Sequence, residues 1–550
     1  MAVAFVFAFT LVLRIAVLPI LQIRPPGVHD EFSYLLLGDT FASGRLVNPT
    51  HPMWLHFETF HVLQHPSYAS MYPVAQGLFL AAGQAIAHAP WTGVWMSTAL
   101  MCAAICWMLQ GWLPPEWALA GGLLATLRLA VFSYWMNSYW GGAVAALGGA
   151  LVLGAVPRLL RSIRISNALV LALGIAILAN SRPYEGLLLC IAAMGILLIW
   201  LLGARGAGRW LGLSWTQPDW KRVTLGVLAP ITVVLGLTFA AMGHYFLRVT
   251  GSPWTLPHTV EREQYAVVPF FVWQSERPAP TYHNDQIKSF YTQWEADRNS
   301  GLERFGVFWA FYFGPALTIP FLLVPWVLRD CRTRALAVVC VVGAFGLMLE
   351  RWSMAHYAAP FVSAAYGLVL QAMRHLSVWA RCGRARLAPL RWAIPTVVVL
   401  AFGVRAAAVP LHISTEGWPT SWGDETKALW GRQAVVDRLR AQGGRHLVLV
   451  RYGTHHPVSD EWVYNDANID SSPIVWAREL DAEQNRKLVQ YFAGRQIWLV
   501  LPDEDLLTAY VPIEQTFASN DPHHGLAKKD ASGPIDVSVD SQIVPKNKPD

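Results

Sequence analysis

Long apolar runs alternate with short polar loops along most of the 550-residue sequence. An α-helix rises about 1.5 Å per residue, so about 20 apolar residues cross a hydrocarbon core of about 30 Å. The run 73–88 contains two glutamines and would be only about 24 Å long as a helix, which is short for a span. Without it, the pattern predicts eleven membrane-spanning helices, at 3–21, 91–112, 116–134, 139–156, 166–180, 186–203, 223–243, 305–328, 335–349, 354–373 and 391–409.

Basic residues decide whether 73–88 crosses the membrane. If it does not, the loops rich in arginine and lysine all fall on one side, at 158–164, 205–222, 329–334 and 374–391. The positive-inside rule assigns that side to the cytoplasm. We therefore expect 73–88 to lie in or re-enter the outer face and the N-terminus to be cytoplasmic. The first outer loop, 22–90, the long outer loop, 244–304, and the chain after about 410 are then outside.

The chain after about 410 has a different pattern. A helical pattern near 425–441 is followed by a strand at 446–451, and a second helix near 481–493 precedes a strand at 496–501. The sequence thus predicts an α-helical polytopic membrane domain over 1–410, with outer juxtamembrane helices, and a small extracytoplasmic α/β domain over 411–517. Residues 518–550 are polar and contain no aromatic side chain, so we expect them to be disordered.

Composition supports a membrane protein and argues against a nucleic-acid partner. Hydrophobic residues make up 54% of the chain and charged residues 14%, against about 25% charged in an ordinary soluble domain. The net charge of +6 is modest, and basic residues cluster in short loops between apolar runs. No large polar segment contains a cysteine and no usable N-glycosylation motif occurs, which favours the inner membrane of a bacterial cell.

The most informative polar residues follow the first predicted span, at 29–34 (HDEFSY). Apolar residues then recur at helical spacing until Gly44, so the acidic pair Asp30 and Glu31 opens an amphipathic helix at the outer membrane surface. One interpretation is structural: Asp30 caps the helix and Glu31 interacts favourably with its dipole. The other is chemical, because two carboxylates that border apolar surface can acquire usefully raised pKa values.

This region resembles the GT-C glycosyltransferases, a superfamily that includes protein O-mannosyltransferases (glycosyltransferase family 39) and lipid A aminoarabinose transferases. The matching features are Asp30-Glu31 just after the first span, Tyr72-Pro73 before a short apolar helix, Gly83, and the span at 91–112. The resemblance covers roughly residues 1–200 in pattern, and the rest of the chain in topology. Where the family has His-Pro-Pro, this chain has Met-Tyr-Pro-Val at 71–74, which leaves the subfamily open.

The resemblance implies a transferase that takes a sugar from a polyprenyl-phosphate donor and inverts the anomeric centre. Asp30 matches the general base that deprotonates the acceptor group, and Glu31 would orient the acceptor or tune the base. The lipid phosphate leaving group needs cations, and the outer-face candidates are Arg182, Arg351 and His356. The structural alternatives are ion pairs of Arg182 with Glu185 and of Arg351 with Glu350.

Aromatic and polar side chains near these groups are candidates for the wall of a substrate cavity. They are Tyr34, Tyr72, Tyr184, Glu185, Trp135 and Trp140, although most tryptophans of such a chain anchor it at the membrane interface. His56, Glu58 and His61 could converge on a metal ion, but their spacing matches no tetrahedral site. We therefore predict no metal and no other cofactor, since a single lipid phosphate leaves without one.

Two other functions fit a polytopic protein of this kind. A transporter or flippase of a lipid-linked glycan should carry ionisable groups deep within its spans and show an internal repeat. Apart from Arg14 and Arg128 the predicted spans are nearly free of charge, and we find no repeat, which favours an enzyme. A polytopic envelope scaffold is the third possibility. The expected partners are a polyprenyl-phosphate-linked sugar, membrane lipids, and a lipid, glycan or protein acceptor.

Overall fold

The structure is a computed structural model. It describes residues 1–212, 219–295, 301–381, 388–408, 410–411, 413, 420, 426–458, 460–504, 506–509 and 535–536. The chain is mainly helical. Its helices are α1 (Ala2–Ala16), α2 (His29–Ala42), α3 (Val74–Ala87), α4 (Pro90–Leu109), α5 (Pro115–Ala125), α6 (Tyr134–Asn137), α7 (Ala143–Arg161), α8 (Ile165–Ala179), α9 (Pro183–Leu201), α10 (Arg205–Trp210), α11 (Trp220–Val223), α12 (Ala229–Thr250), α13 (Pro257–Tyr265), α14 (Asp285–Ser289), α15 (Gly301–Phe308), α16 (Gly314–Leu322), α17 (Val324–Val327), α18 (Cys331–Leu349), α19 (Val362–Arg381), α20 (Ala388–Ala408), α21 (Thr426–Gln442) and α22 (Ala482–Tyr491).

Five helical stretches of the described chain are long and apolar enough to cross a membrane: Pro90–Leu109, Ala143–Arg161, Pro183–Leu201, Trp220–Thr250 and Leu302–Leu322. Five further apolar helices have 10–17 residues: Ala2–Ala16, Val74–Ala87, Ile165–Ala179, Thr333–Leu349 and Trp392–Ala408. The apolar runs therefore do form helices. Several predicted spans differ in length from the observed helices, so the predicted number of eleven spans stays a prediction.

The predicted span 305–328 is interrupted rather than continuous. A π-helical turn, Trp309–Phe313, leads to Gly314, whose φ of 58° ends the first segment. A side chain on Gly314 would collide with the guanidinium of Arg128, whose Nη2 lies 2.6 Å from the position of a Cβ. Arg128 donates to the carbonyl of Ala310 at this break. The break thus supplies a carbonyl acceptor for an otherwise costly buried cation.

The run 73–88 forms α3, which packs between α2 and α4. Two glycines allow the close approach: a Cβ on Gly77 would lie 2.5 Å from Leu37, and one on Gly93 would lie 1.9 Å from the carbonyl oxygen of Phe79. Both faces of the helix are therefore in backbone-level contact with neighbours. This packing fixes α2, the helix that carries Asp30, against the apolar bundle.

Described residues of the basic loops 158–164, 329–334 and 374–391 lie together. Arg161 and Arg374 line one groove together with Gly111, Asp330 and Gln371. Arg161 donates to the carbonyl of Gly111 at 2.7 Å. The grouping is the one that charge predicts, and the cytoplasmic assignment of these loops stays a prediction.

The chain from 426 onward forms a small α/β unit. Two short strands of the first outer loop, β1 (Val62–Leu63) and β2 (Ala69–Ser70), form an antiparallel pair. The strands of the α/β unit are β3 (His446–Val450), β4 (Ile474–Arg478), β5 (Gln496–Leu501), β6 (Leu506–Ala509) and β7 (Ile535–Asp536), in the sheet order β4-β3-β5-β6-β7. The pairs β3–β4 and β3–β5 are parallel, and the pairs β5–β6 and β6–β7 are antiparallel. The helices and strands predicted near 425–441, 446–451, 481–493 and 496–501 are confirmed. The segment 518–550, expected to be disordered, lies outside the described residues except for β7.

Helix α2 is not a helix with one face exposed at the membrane surface, as its pattern predicted. The α/β unit covers it: Tyr464 stacks on Phe32 with ring centroids 4.3 Å apart, and the guanidinium of Arg432 lies 4.8 Å from the Phe32 ring. Asp39 accepts a hydrogen bond from the backbone of Ala467 at 2.8 Å. The hydrophobic face that the pattern showed is therefore buried on the α/β unit as well as on α3.

Candidate active site

Asp30 lies in the first turn of α2 and its side chain keeps 14% of its accessible surface. The N-cap residue is Val28, so the prediction that Asp30 caps the helix is wrong. Its carboxylate is instead held by three side chains. Tyr72 donates its hydroxyl hydrogen to Oδ1, Nδ1 of His61 lies 3.4 Å from the same oxygen, and Nε2 of His29 lies 3.5 Å from Oδ2.

The surroundings of Asp30 favour its ionised form. Burial alone would raise the pKa of this carboxyl, but His29, His61 and the Tyr72 hydroxyl outweigh it, and the pKa is lowered below the usual range. Burial lowers the pKa of His29 to about 4, so His29 is a neutral neighbour at pH 7. Asp30 is therefore an aspartate, not an aspartic acid, at physiological pH.

Glu31 has a different environment although it is the next residue. Its Oε2 accepts from the backbone N–H groups of Gly27 (2.9 Å) and Val28 (3.1 Å), and its Oε1 accepts from the N–H of Tyr139 (2.9 Å). Burial raises its pKa to about 7 despite these hydrogen bonds. Glu31 therefore joins the start of α2 to the segment that follows α6. This placement supports positioning of α2 rather than contact with an acceptor.

His61 is the group near Asp30 whose position the sequence did not reveal. It has a backbone φ of 59°, a left-handed conformation that is uncommon for a residue with a side chain. Its carbonyl accepts from the hydroxyl of Ser33 (2.7 Å) and from the N–H of Met71 (3.2 Å), which holds the backbone in this conformation. Nδ1 lies 2.8 Å from the Tyr72 hydroxyl oxygen. Tyr72, Asp30 and His61 thus form one hydrogen-bonded group.

His56, Glu58 and His61 do not converge in the structure, so they do not form a metal site. His56 bonds through Nδ1 to the carbonyl of Arg478 at 2.8 Å, in the α/β unit. Glu58 is buried and accepts from Tyr265 (3.0 Å) and Asn284 (3.0 Å), in the long outer loop. These residues join the first outer loop to two other parts of the chain, and only His61 faces the candidate site.

A different set of side chains is close enough to consider for a metal. One ligand atom each from His29, Asp30 and His61 lie within 4.8 Å of one another. Asp30 Oδ1 and His61 Nδ1 are already bonded within the group that includes Tyr72. We assign no metal ligands here, and a metal-free reaction stays a prediction.

Arg182 shares electrostatic neighbours with Asp30, among them Tyr34 and His356. Its guanidinium pairs with Glu185 at 3.5 Å, as the structural alternative predicted, and lies 4.3 Å from the Tyr357 ring centroid. Its side chain keeps 19% of its surface. Tyr34 stacks on Tyr72 with centroids 4.3 Å apart. Tyr34 also interacts electrostatically with both Arg182 and Asp30.

Glu350 completes the cluster around Arg182, and the sequence indicated it only as a partner for Arg351. It is fully buried, and neither carboxylate oxygen has a hydrogen-bond partner among the described residues. Burial and the nearby Glu185 raise its pKa to about 10, although Arg182 and Arg304 oppose this. Glu350 is therefore a neutral acid at pH 7.

Arg351 does not pair with Glu350, so that alternative is wrong. Its Nη1 lies 3.1 Å from the carboxylate of Glu276, an exposed residue of the long outer loop. Its backbone N–H donates to the carbonyl of Phe270, which ties the turn before α19 to the same loop. The structure thus places Arg182, and not Arg351, beside the Asp30 group.

His356 is buried against the remaining aromatic candidates. Its Nδ1 lies 3.0 Å from the Tyr134 hydroxyl, and its ring centroid is 4.6 Å from that of Trp140. It interacts electrostatically with Arg182 and Asp30, so it belongs to the same site. Trp135 instead packs in the core, 5.2 Å from Phe311, and is not a cavity wall because other rings enclose it.

Tyr184 lies at the edge of the site. Its hydroxyl donates to the carbonyl of Gly346 at 3.0 Å, and its ring packs on Phe271 at 4.8 Å. The arrangement as a whole brings an ionised carboxylate with a histidine to within reach of a partly exposed arginine. Such a pair can remove a proton from a nucleophile and stabilise a phosphate leaving group.

Comparison with known proteins gives structural similarities only. No protein-family model and no curated protein matches the chain. The chain is similar to ArnT from Cupriavidus metallidurans in the apo state, with 14% sequence identity, a TM-score of 0.49, and coverage of 90% of this chain and 93% of that one. For the same ArnT bound to undecaprenyl phosphate, the identity is 12%, the TM-score 0.48, and the coverage 90% and 92%.

The chain is also similar to the apo form of the Archaeoglobus fulgidus oligosaccharyltransferase, with 11% identity and a TM-score of 0.48. The match covers 81% of this chain and spans 62% of the length of the archaeal protein.

Proposed function

We propose that this protein is a membrane glycosyltransferase that moves a sugar from a polyprenyl-phosphate carrier to an acceptor at the outer face of a bacterial inner membrane. One observation carries the proposal. The ionised, partly exposed carboxylate of Asp30, in the first turn of α2, is fixed by Tyr72 and His61, and Tyr34 interacts with both Asp30 and Arg182.

The reaction that suits this geometry is a single displacement with inversion. The acceptor group attacks the anomeric carbon, while the bond from that carbon to the phosphate oxygen breaks and its electron pair stays on the phosphate. Asp30 provides the negative charge that draws the proton from the acceptor, directly or through a side chain bonded to it. Arg182 stabilises the charge on the departing phosphate, because a guanidinium directs two hydrogen bonds at phosphate oxygens.

Other candidate residues take supporting roles in this proposal. His356 lies in the same electrostatic environment as Arg182 and would contact the donor phosphate, and Tyr34, Tyr72 and Trp140 supply aromatic surface for the sugar. Arg351 would act on the donor from the rim, because it is held by an exposed carboxylate at the long outer loop.

The transporter alternative finds less support in the buried arginines. Arg14 donates to the carbonyl of Leu21 and lies 5.0 Å from the Trp91 ring, and Arg128 donates to the carbonyl of Ala310. Both cations therefore have acceptors near helix breaks or ends. Neither is paired with a carboxylate in the described chain, as a proton-coupled pathway would require.

The test is a transfer assay with the purified protein in nanodiscs. A panel of synthetic polyprenyl-phosphate sugars is supplied with membrane lipid, glycan and protein fractions, and the release of polyprenyl phosphate is measured by mass spectrometry. We expect release that requires both donor and acceptor and that is lost in the Asp30→Asn protein. Equal release by both proteins, or no donor binding across the panel, would refute the proposal.

A further inference from the structure

The two ring nitrogens of His61 have different environments. Nδ1 is engaged by the Tyr72 hydroxyl at 2.8 Å and lies 3.4 Å from Oδ1 of Asp30. Nε2 has no hydrogen-bond partner in the described part of the chain, and it is not among the fully buried polar atoms. The side chain keeps 11% of its surface. The Tyr72 hydroxyl donates its hydrogen to Asp30, so Nδ1–H of His61 donates to the Tyr72 oxygen, and a neutral imidazole with hydrogen on Nδ1 presents the lone pair of Nε2.

The backbone of His61 is held in a conformation that needs support from its surroundings. The φ of 59° costs free energy for a residue with a side chain, and such residues persist where the neighbouring structure determines them. Ser33 and Met71 both donate to its carbonyl, and Ser33 is on α2, one turn from Asp30. The chain thus fixes His61 and Asp30 relative to each other through backbone and side chain together.

We infer that Nε2 of His61 is the atom that receives the proton of the acceptor group, and that Asp30 acts through His61. This inference rests on the proposed glycosyl transfer and specifies its base. Asp30 selects the tautomer with hydrogen on Nδ1 and stabilises the imidazolium that forms, which is how a carboxylate supports a catalytic histidine. Tyr72 fixes both groups by its hydroxyl.

The step balances without a further reactant. A bond forms between the acceptor atom and the anomeric carbon, and the bond between that carbon and the phosphate oxygen breaks. The acceptor's proton moves to Nε2 of His61, while the leaving electron pair remains on the lipid phosphate. His61 later returns the proton to water, which restores the neutral imidazole.

The charged and titratable groups around His61 set the pH at which it can accept a proton. They come from α2, from the segment after β2 (Ala69–Ser70), from α13 and from the turn after α14, and they are Asp30, His29, Tyr72, His258, Glu261 and Glu295. Burial would lower the pKa of His61, but Asp30, Glu261 and Glu295 raise it above its usual value. His29 and His258 are neutral at pH 7, since burial lowers their pKa values to about 4 and about 3.

The first experiment replaces His61 by asparagine. Asparagine tolerates a left-handed backbone and offers an amide near the position of Nδ1, so the bonds to Asp30 and Tyr72 are kept while Nε2 is removed. We expect kcat to fall by about 10²–10⁴-fold with donor affinity unchanged. The fall in rate at low pH that comes from protonation of His61 should also disappear. Wild-type kcat and an unchanged profile would show that His61 only supports the loop.

The second experiment shifts the pKa of His61 without replacing His61 itself. Glu295→Gln removes a negative charge that favours the imidazolium and leaves the positive charge of Arg262, 2.6 Å from Glu295, uncompensated. Because the neutral imidazole is the active form, the rate falls as pH drops through the His61 pKa, so this variant should move the acidic limb to lower pH. Glu483→Gln, at an exposed i,i+4 pair with Lys487 in the α/β unit, is the matched control.

The outcomes separate this inference from the proposed function. Transfer by the wild type, with no effect of His61→Asn on kcat and no shift in Glu295→Gln, would overturn the role of His61 and leave the glycosyltransferase intact. Absence of transfer in the wild type would remove both. A shift in Glu295→Gln, with none in Glu483→Gln, supports the inference even if the asparagine variant does not fold.

Discussion

Two charged clusters lie next to each other, at the start of α2 and at the turn before α19. They differ in how their acidic side chains are bonded and ionised. In the cluster of Asp30, His61 and Tyr72, each polar group is bonded to another, and the carboxyl pKa is lowered. In the cluster of Arg182 and Glu350, the carboxyl group has no hydrogen-bond partner among the described residues and a pKa raised to about 10. One cluster keeps its acid charged and the other keeps its acid neutral.

The difference separates two tasks. A carboxylate that must stay ionised and aimed at one place needs fixed donors, which Tyr72 and His61 provide. In the proposed function Arg182 binds a phosphate, and an ionised acid beside it would compete with that phosphate for the guanidinium. Such an arginine is better placed among acids that are not all ionised. With Glu350 neutral, Glu185 is the single carboxylate paired with Arg182 in the described chain, at 3.5 Å. The phosphate of a donor would then compete with one weak ion pair.

The strongest test of the first cluster is Asp30→Asn. The amide cannot carry the negative charge that orients and stabilises the proton acceptor, so kcat should fall by about 10²–10⁴-fold. Donor affinity, measured by binding of a labelled polyprenyl-phosphate sugar, should not change, because Arg182 is intact. A fall in donor affinity without a fall in kcat would assign Asp30 to the same task as Arg182 and end the contrast.

Arg182→Ala tests the second cluster and should give the next largest effect. Loss of a charge-assisted hydrogen bond is equivalent to about 1.5–3 kcal/mol, so donor affinity should fall by about 10–100-fold. Arg182→Lys should recover part of it, because the charge remains and the planar fork is lost. Arg351→Ala should weaken binding by a smaller factor, because its guanidinium is held by Glu276. Equal effects at 182 and 351 would mean that the phosphate lies between them.

Glu350→Gln tests whether the acid in the second cluster is neutral, with thermal unfolding as the readout. A carboxyl group whose pKa is higher in the folded state stabilises most below its unfolded pKa, and that contribution is lost as pH rises toward about 10. A glutamine does not titrate, so the variant does not lose stability in this way as pH rises. Its unfolding temperature should exceed that of the wild type at pH 8 and converge with it near pH 4.5. A wild type that is more stable at pH 8 would show that Glu350 is ionised and paired.

Chelation should have the smallest effect. Tyr72 already bonds to Oδ1 of Asp30 and to Nδ1 of His61, and we expect the reaction to need no metal, so EDTA should change the transfer rate by less than about twofold. The assay is the same release of polyprenyl phosphate, with manganese or zinc added back. If EDTA abolished activity and a divalent cation restored it, the first cluster would be a metal site.

The sequence predicted the helical fold and the grouping of basic residues, and it indicated Asp30 and Arg182 as candidates, because each depends on local pattern. Apolar length, charge bias and an acidic pair after a span can be read without tertiary contacts. The elements of the α/β unit were predicted for the same reason, since periodicity and Gly443-Gly444 are local signals.

The features that the sequence did not reveal depend on contacts between residues that are far apart in the chain. His61 was one of six histidines in the first outer loop, and nothing local showed that it would meet Asp30 while His56 would bond to Arg478. Glu350 was the alternative partner considered for its neighbour Arg351, but the long outer loop supplies Glu276 instead. A left-handed φ at His61 has no sequence signal such as glycine.

The stacking of Tyr464 on Phe32 and the contact of Arg432 with the same ring have a consequence for biosynthesis. The ribosome makes α2 several hundred residues before the partners that cover it, so the helix stays uncovered until the last part of the chain emerges. We hypothesise that catalytic competence is withheld from nascent chains until that moment. Limited proteolysis of chains stalled before residue 426 should cut within 29–42, and protection equal to that of the finished protein would disprove it.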